Sequence, residues 1–209
     1  MYISLLLLVI FVGCFAFLMN NGLWSNTISL INVITAGLIA MNYFEPLADF
    51  FDKQWPQGTY VWDFFSIWLI FIISVSILRA ATDYMSRVKV RLFPPVDRFG
   101  GMLMACWVSW IVMGFATMTL HTAPLARNFL DGSFQKTPTS RNFFGFLAPD
   151  HVWLGWVHRE SMGPLCRLRD VVPFDARGDF ILRYGERREA FDQQISFLKS
   201  GTTGGPAAK

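Results

Sequence analysis

The chain has 209 residues, of which 53% are hydrophobic and only 16% charged, with 21 Phe and 8 Trp. Its net charge of +3 divides into six Lys/Arg against six Asp/Glu up to His121, and twelve against nine after it. A nucleic-acid binder concentrates its basic residues on one face, and the alternating signs of the second half argue against that class.

The first charged side chain is Glu45, and long apolar stretches return at Phe64–Leu78 and Phe99–Leu120. Runs of this length suit a bilayer core of roughly 30 Å rather than the interior of a small soluble domain. The expected fold class is therefore all-α: an integral membrane four-helix bundle at residues 1–120. A partly helical extramembrane region follows at 121–200, and a flexible end at 201–209.

Span one is expected at Ile3–Met19. It lacks the basic start of a signal peptide, and its apolar run passes the usual cleavage point. A retained helix is the better reading, although Phe11-Val12-Gly13-Cys14 faintly resembles a lipoprotein box. Asn20-Asn21-Gly22 supplies turn chemistry, and Trp24 falls where an interfacial aromatic sits. Span two, Thr27–Phe44, carries Ser29, Asn32, Ala36 and Ala40 at helical spacing. Small and polar residues in that pattern let helices approach closely and bond across the contact. The sharper reading makes Asn32 and Thr35 the lining of a polar path.

Residues 45–60 bring Glu45, Asp49 and Asp52 against Lys53, with Pro46 and Pro56 predicting an irregular interfacial loop. Span three, Val61–Leu78, is flanked by Asp63 and Arg79, and Asp63 reads as a headgroup-layer residue. The third loop collects Arg79, Arg87, Lys89, Arg91 and Arg98, with a short surface helix predicted at Thr82–Leu92. The positive-inside rule places this loop in the cytoplasm and both the N-terminus and the tail outside. Pro94-Pro95 is read as the break that resets the chain for span four, Phe99–Leu120. There Asp97 is a candidate cap for the helix. Arg98 can reach lipid phosphates. Gly101, Ala105 and Ser109 form a ridge of small residues, and Gly100 allows a close backbone approach.

In the tail, Asp150 is placed to cap a helix carrying Trp153, Trp156 and Val157, and a second helix is predicted at Phe180–Lys199. His121 reads as interfacial. His151 and His158, about two helical turns apart, read as solvent-facing rather than as metal ligands. Cys14, Cys106 and Cys166 form neither a CxxC pair nor a Cys/His set. No Walker loop, GxSxG or HExxH occurs. No catalytic residue, metal site or cofactor is expected. The spans hold no ionisable group at mid-membrane, which lowers the odds of a coupled transporter.

The entry to span four, Pro94-Pro95-Val96-Asp97-Arg98-Phe99-Gly100-Gly101, resembles the Asp-Arg-x-x-Gly entry to the last span of the colicin V production (CvpA) family. The small-residue second span, the short first connection and the basic third loop look similar too. The first loop departs from the family pattern in carrying no charge. The resemblance implies a non-enzymatic accessory or assembly protein of the bacterial inner membrane, linked to toxin export or envelope homeostasis. Its expected partners are the bilayer, further copies of itself and other membrane proteins. The alternative is a channel or transporter subunit, an oligomeric pore lined by Asn32, Thr35, Ser66 and Ser74.

Overall fold

Uncharged runs of Leu, Ile, Val and Phe satisfy their backbone groups within a bilayer only as helices or closed barrels. The computed structural model describes residues 2–85, 93–125, 147–162, 174–175 and 177–203, and all its regular elements there are helical. They are α1 (Tyr2–Leu18), α2 (Leu23–Gln54), a 3-10 turn at Pro56–Gly58, α3 (Trp62–Met85), α4 (Pro94–Thr122), α5 (Pro149–Ser161) and α6 (Phe180–Thr203). Three of them, α2, α3 and α4, are long and apolar enough to cross a membrane. At 17 residues α1 lies at the lower limit of a spanning helix.

The helix boundaries differ from the sequence expectation at α2, α3 and α4. The irregular loop predicted at 45–60 begins late, because α2 runs on to Gln54 with Pro46 inside it. A helix tolerates proline where the contacts around it hold the backbone, and Phe51 here packs between Trp62 and Phe65 of α3. Pro94 and Pro95 do not precede span four but form its first turn. At that position the missing N–H has no helical partner to lose. No separate surface helix begins at Thr82: Thr82–Met85 continue α3 past its expected end at Leu78, and residues 86–92 lie outside the described residues. The flexible end is helical to Thr203, and residues 204–209 lie outside the described residues.

Among the spans α1 packs on α4, α4 on α2, and α2 on α3, and a smaller contact brings α3 back to α4. Leu18 meets Ala105 and Val108, while Ile3 and Leu7 meet Met113, so α1 runs antiparallel to α4. From Gly101 to His121, α4 rises about 30 Å, the thickness of a hydrocarbon core.

The bundle tightens around Phe115, which is fully buried. Its ring stacks on Phe71 of α3 at 4.3 Å and meets Trp68 and Trp153 edge-on, each at 5.6 Å. Trp153 belongs to α5, so the region after span four is not separate from the bundle. Its indole lies over Gly37 of α2, where a Cβ would come within 2.6 Å of Cη2. Gly114 of α4 likewise leaves room for the Pro149 carbonyl, 3.2 Å from where its Cβ would be.

Gly37→Leu is expected to push Trp153 out of its seat at a cost of about 1–3 kcal/mol. Limited proteolysis between α4 and α5 in detergent micelles checks this. Cleavage should be faster in the variant than in the parent chain, whereas an unchanged rate would show that α5 does not depend on the glycine.

Candidate functional site

Polar groups gather at the two ends of the bundle. At the first end, a turn of four residues joins α1 to α2, and Gly22 stands before α2 without a capping side chain. The free amides of a helix start need a partner. Asp97 supplies one from α4: its carboxylate accepts the Leu23 N–H at 2.8 Å. The expectation that Asp97 caps α4 is therefore corrected, since it caps α2 instead. Pro94 and Pro95 leave the first turn of α4 with fewer amides to satisfy.

Gly101 completes the joint. A Cβ there would lie 2.6 Å from the Asn21 carbonyl oxygen, and one at Gly22 would lie 2.8 Å from the Asp97 carboxylate. The Gly101 carbonyl accepts a hydrogen bond from Asn26 Nδ2 at 2.8 Å, and the same amide reaches the Leu18 carbonyl at 3.1 Å. Asn26 is fully buried and was not singled out from the sequence. An asparagine next to a turn ordinarily reads as loop chemistry, so only the turn's burial against α4 reveals its role. Gly100 faces Leu23, 3.0 Å from where a Cβ would sit. Arg98 is exposed beside Pro94, Pro95, Phe99 and Met102.

The small and polar face of α2 divides between two neighbours. Asn32 Nδ2 donates to Thr82 Oγ1 of α3 at 3.0 Å, and Arg79 Nη1 donates to Ser29 Oγ at 3.4 Å. Ala36 and Ala40 are fully buried in the core that contains Phe71 and Phe115. On α4, Ala105 and Ser109 are also fully buried, and Ser109 Oγ donates to the Ala105 carbonyl at 2.7 Å. Thr35 and Ser74 are half-buried and Ser66 is buried.

The second end is where the tail docks. Arg187 of α6 pairs with Asp63 of α3 and also donates to the Thr59 carbonyl. Arg183 pairs with Glu45 at 3.4 Å. Arg188 donates to the His121 carbonyl, at the C-terminal end of α4. The Tyr184 hydroxyl is pushed well above the usual tyrosine range, by burial first and then by the nearby Asp63 carboxylate.

Asp150 was expected to cap α5, but the helix start has no side-chain cap bond. The Asp150 carboxylate instead accepts from His121 Nε2 at 3.0 Å, and both side chains are almost wholly buried. His121 is therefore a buried partner of the tail rather than an interfacial residue. His158 is half-buried, with Nδ1 2.7 Å from the Phe174 carbonyl. Cys166 and the basic residues Arg87, Lys89 and Arg91 lie outside the described residues.

Chemically, both ends bind helices to one another. Near His121 the Thr117, Thr119 and Thr122 hydroxyls each donate to a backbone carbonyl of their own helix. Among the described residues no three His, Cys, Asp or Glu side chains are grouped to hold a metal ion.

These features define a multi-pass helical membrane protein whose span-four entry is bonded to its first turn. The family model described as "Colicin V production protein" matches residues 3–146, and the chain belongs to that family. No curated protein and no solved structure matches the chain. The family match stops short of α5 and α6.

Asp97→Ala removes the Leu23 acceptor and is expected to cost about 1–2 kcal/mol. Asp97→Asn keeps a carbonyl acceptor and should lose less. Gly101→Ala should cost at least as much as Asp97→Ala through its clash with the Asn21 carbonyl. Thermal unfolding in detergent ranks the three, and an unaltered midpoint for Asp97→Ala would count against the cap. Arg187→Ala leaves Asp63 without its ion pair. Backbone amides of α6 should then exchange about tenfold faster or more, a shift of about 1.4 kcal/mol. Arg187→Lys, without the planar two-pronged fork, should restore protection only in part.

Proposed function

We propose that the chain is a non-enzymatic accessory protein of the bacterial inner membrane that works by assembling with copies of itself or with other membrane proteins, in toxin export or envelope homeostasis. The carrying observation is the family match over residues 3–146. The family is not known for enzymatic activity. The use of the polar span residues supports the same reading. Asn26, Ser29 and Asn32 are engaged in helix contacts, a packing role of the kind small and polar residues play in membranes.

In the proposed orientation the Asp97 end faces the cytoplasm, because the basic third-loop residues adjoin it. The N-terminus and the α5–α6 end then lie outside. Ser29, Ala36, Ala40, Ala105 and Ser109 hold the chain's own spans together. Assembly then uses the apolar face left exposed on α1, which includes Leu5, Leu8, Val9 and Val12. The pore alternative has less support, because the Asn32 amide is already bonded to Thr82.

Reconstitution of the purified chain in liposomes tests this reading, with oligomer mass and solute flux measured together. A stable assembly in tight vesicles is expected. Flux through the parent chain that disappears in Asn32→Leu would overturn the proposal and make α2 the lining of a pore.

A further inference from the structure

Where α5 lies against the bundle it does not fill the space available. A cavity of about 380 Å³ remains between three helices that are distant in sequence. Leu30 and Ile34 of α2, Trp107 and Ile111 of α4, and Val152 and Trp156 of α5 contribute to its walls. Trp107 lies six residues along α4 from Gly101, a rise of about 9 Å, and about 21 Å short of His121. The cavity is therefore at hydrocarbon depth. It is also continuous with the lipid-facing surface, since Trp107 is 54% exposed and Val152 53%.

Three contents are physically available to such a space. Water would need on the order of a dozen molecules at about 30 Å³ each, and each would want two to four polar partners. The side chains lining the cavity are Leu, Ile, Trp, Pro and Val; indole N–H donors, the buried Trp153 Nε1 among them, are their only polar groups, too few partners for a dozen waters. An empty cavity would forfeit the dispersion contacts of all its walls, although fluid hydrocarbon stands at its mouth. The third content is that hydrocarbon.

We propose that this cavity is a lipid site that holds one acyl chain of a membrane phospholipid, with α5 as its outer wall. The proposal explains how α5 is seated. Apolar packing in a membrane gains little over contact with lipid. The chain completes the wall that Trp153 begins by seating on Gly37, while the Asp150–His121 bond fixes the start of α5. The site differs from ordinary lipid contact in being walled on three sides, whereas Ile72, Ile73 and Ile77 of α3 face outward from a single helix and are exposed.

That contrast supplies the control. The full chain is reconstituted in phosphatidylethanolamine–phosphatidylglycerol vesicles doped with a phosphatidylethanolamine that carries a diazirine in its acyl tail. After irradiation, lipid adducts are mapped by peptide mass spectrometry. Labelling per residue at Trp107, Ile111, Val152 and Trp156 should exceed that at Ile72, Ile73 and Ile77 about tenfold, the ratio given by a preference of about 1.4 kcal/mol. Groove labelling equal to or below that of α3 overturns the proposal, because the space is then ordinary lipid surface or closed to lipid. Ile34→Trp fills the cavity from the α2 side and should bring groove labelling down to the α3 level while leaving α3 unchanged. Undiminished groove labelling in a variant whose α3 labels normally would also overturn it. If that variant fails to insert, the ratio in the parent chain still decides.

Discussion

A helix that begins at the edge of a bilayer has free amide groups and little water to satisfy them. In this chain the first amide of α2 finds its partner in the Asp97 carboxylate of α4. That one bond joins the start of span two to the start of span four, and Asn26 and Gly101 tighten the joint from the other side. Because α2 and α4 start from a common point and run parallel, Gly37 and Phe115 reach the same depth. Both are then available to Trp153. The aromatic core and the seat of α5 both depend on this register.

The two ends of the bundle use polarity differently. At the Asp97 end the partners are mostly backbone groups, and glycines provide the close approach. At the Asp63 end they are charged side chains: three arginines of α6 reach two acids and a helix-end carbonyl. Arg183 and Glu45 are about half exposed, so solvent screens that pair and its contribution is small. Arg187 and Asp63 are more enclosed, and they hold α6 more firmly. The family match covers the first end and the spans, whereas the α5–α6 pair lies beyond it.

Several features of the site were legible in the sequence because they depend on local spacing. The Asp97–Gly101 motif, the Ser29/Asn32/Ala36/Ala40 face and the small-residue ridge from Gly101 to Ser109 are all short-range patterns. Their locations followed from helical periodicity, but their partners did not. Asp97 reads as a cap of its own helix, and the neighbour it does cap lies 74 residues away. His121 and Asp150 are 29 residues apart and Asp63 and Arg187 are 124 apart; alone, His121 and Asp63 read as interfacial residues and Asp150 as a helix cap. Asn26 is the clearest omission. Its identity suggests a turn, and its burial follows only from the approach of α4.

By itself the sequence determined the solvent, the helical class, the approximate spans and the family. Long uncharged runs are incompatible with water, and periodicity is a property of consecutive residues. Tertiary structure alone decided which helix each polar group serves, that α2 continues past Pro46, and that α5 packs into the bundle. Those outcomes depend on how distant helices are registered against one another. Register is set by a few long-range contacts, such as Asp97 with Leu23 and Trp153 with Gly37, which leave no periodic signal in the chain.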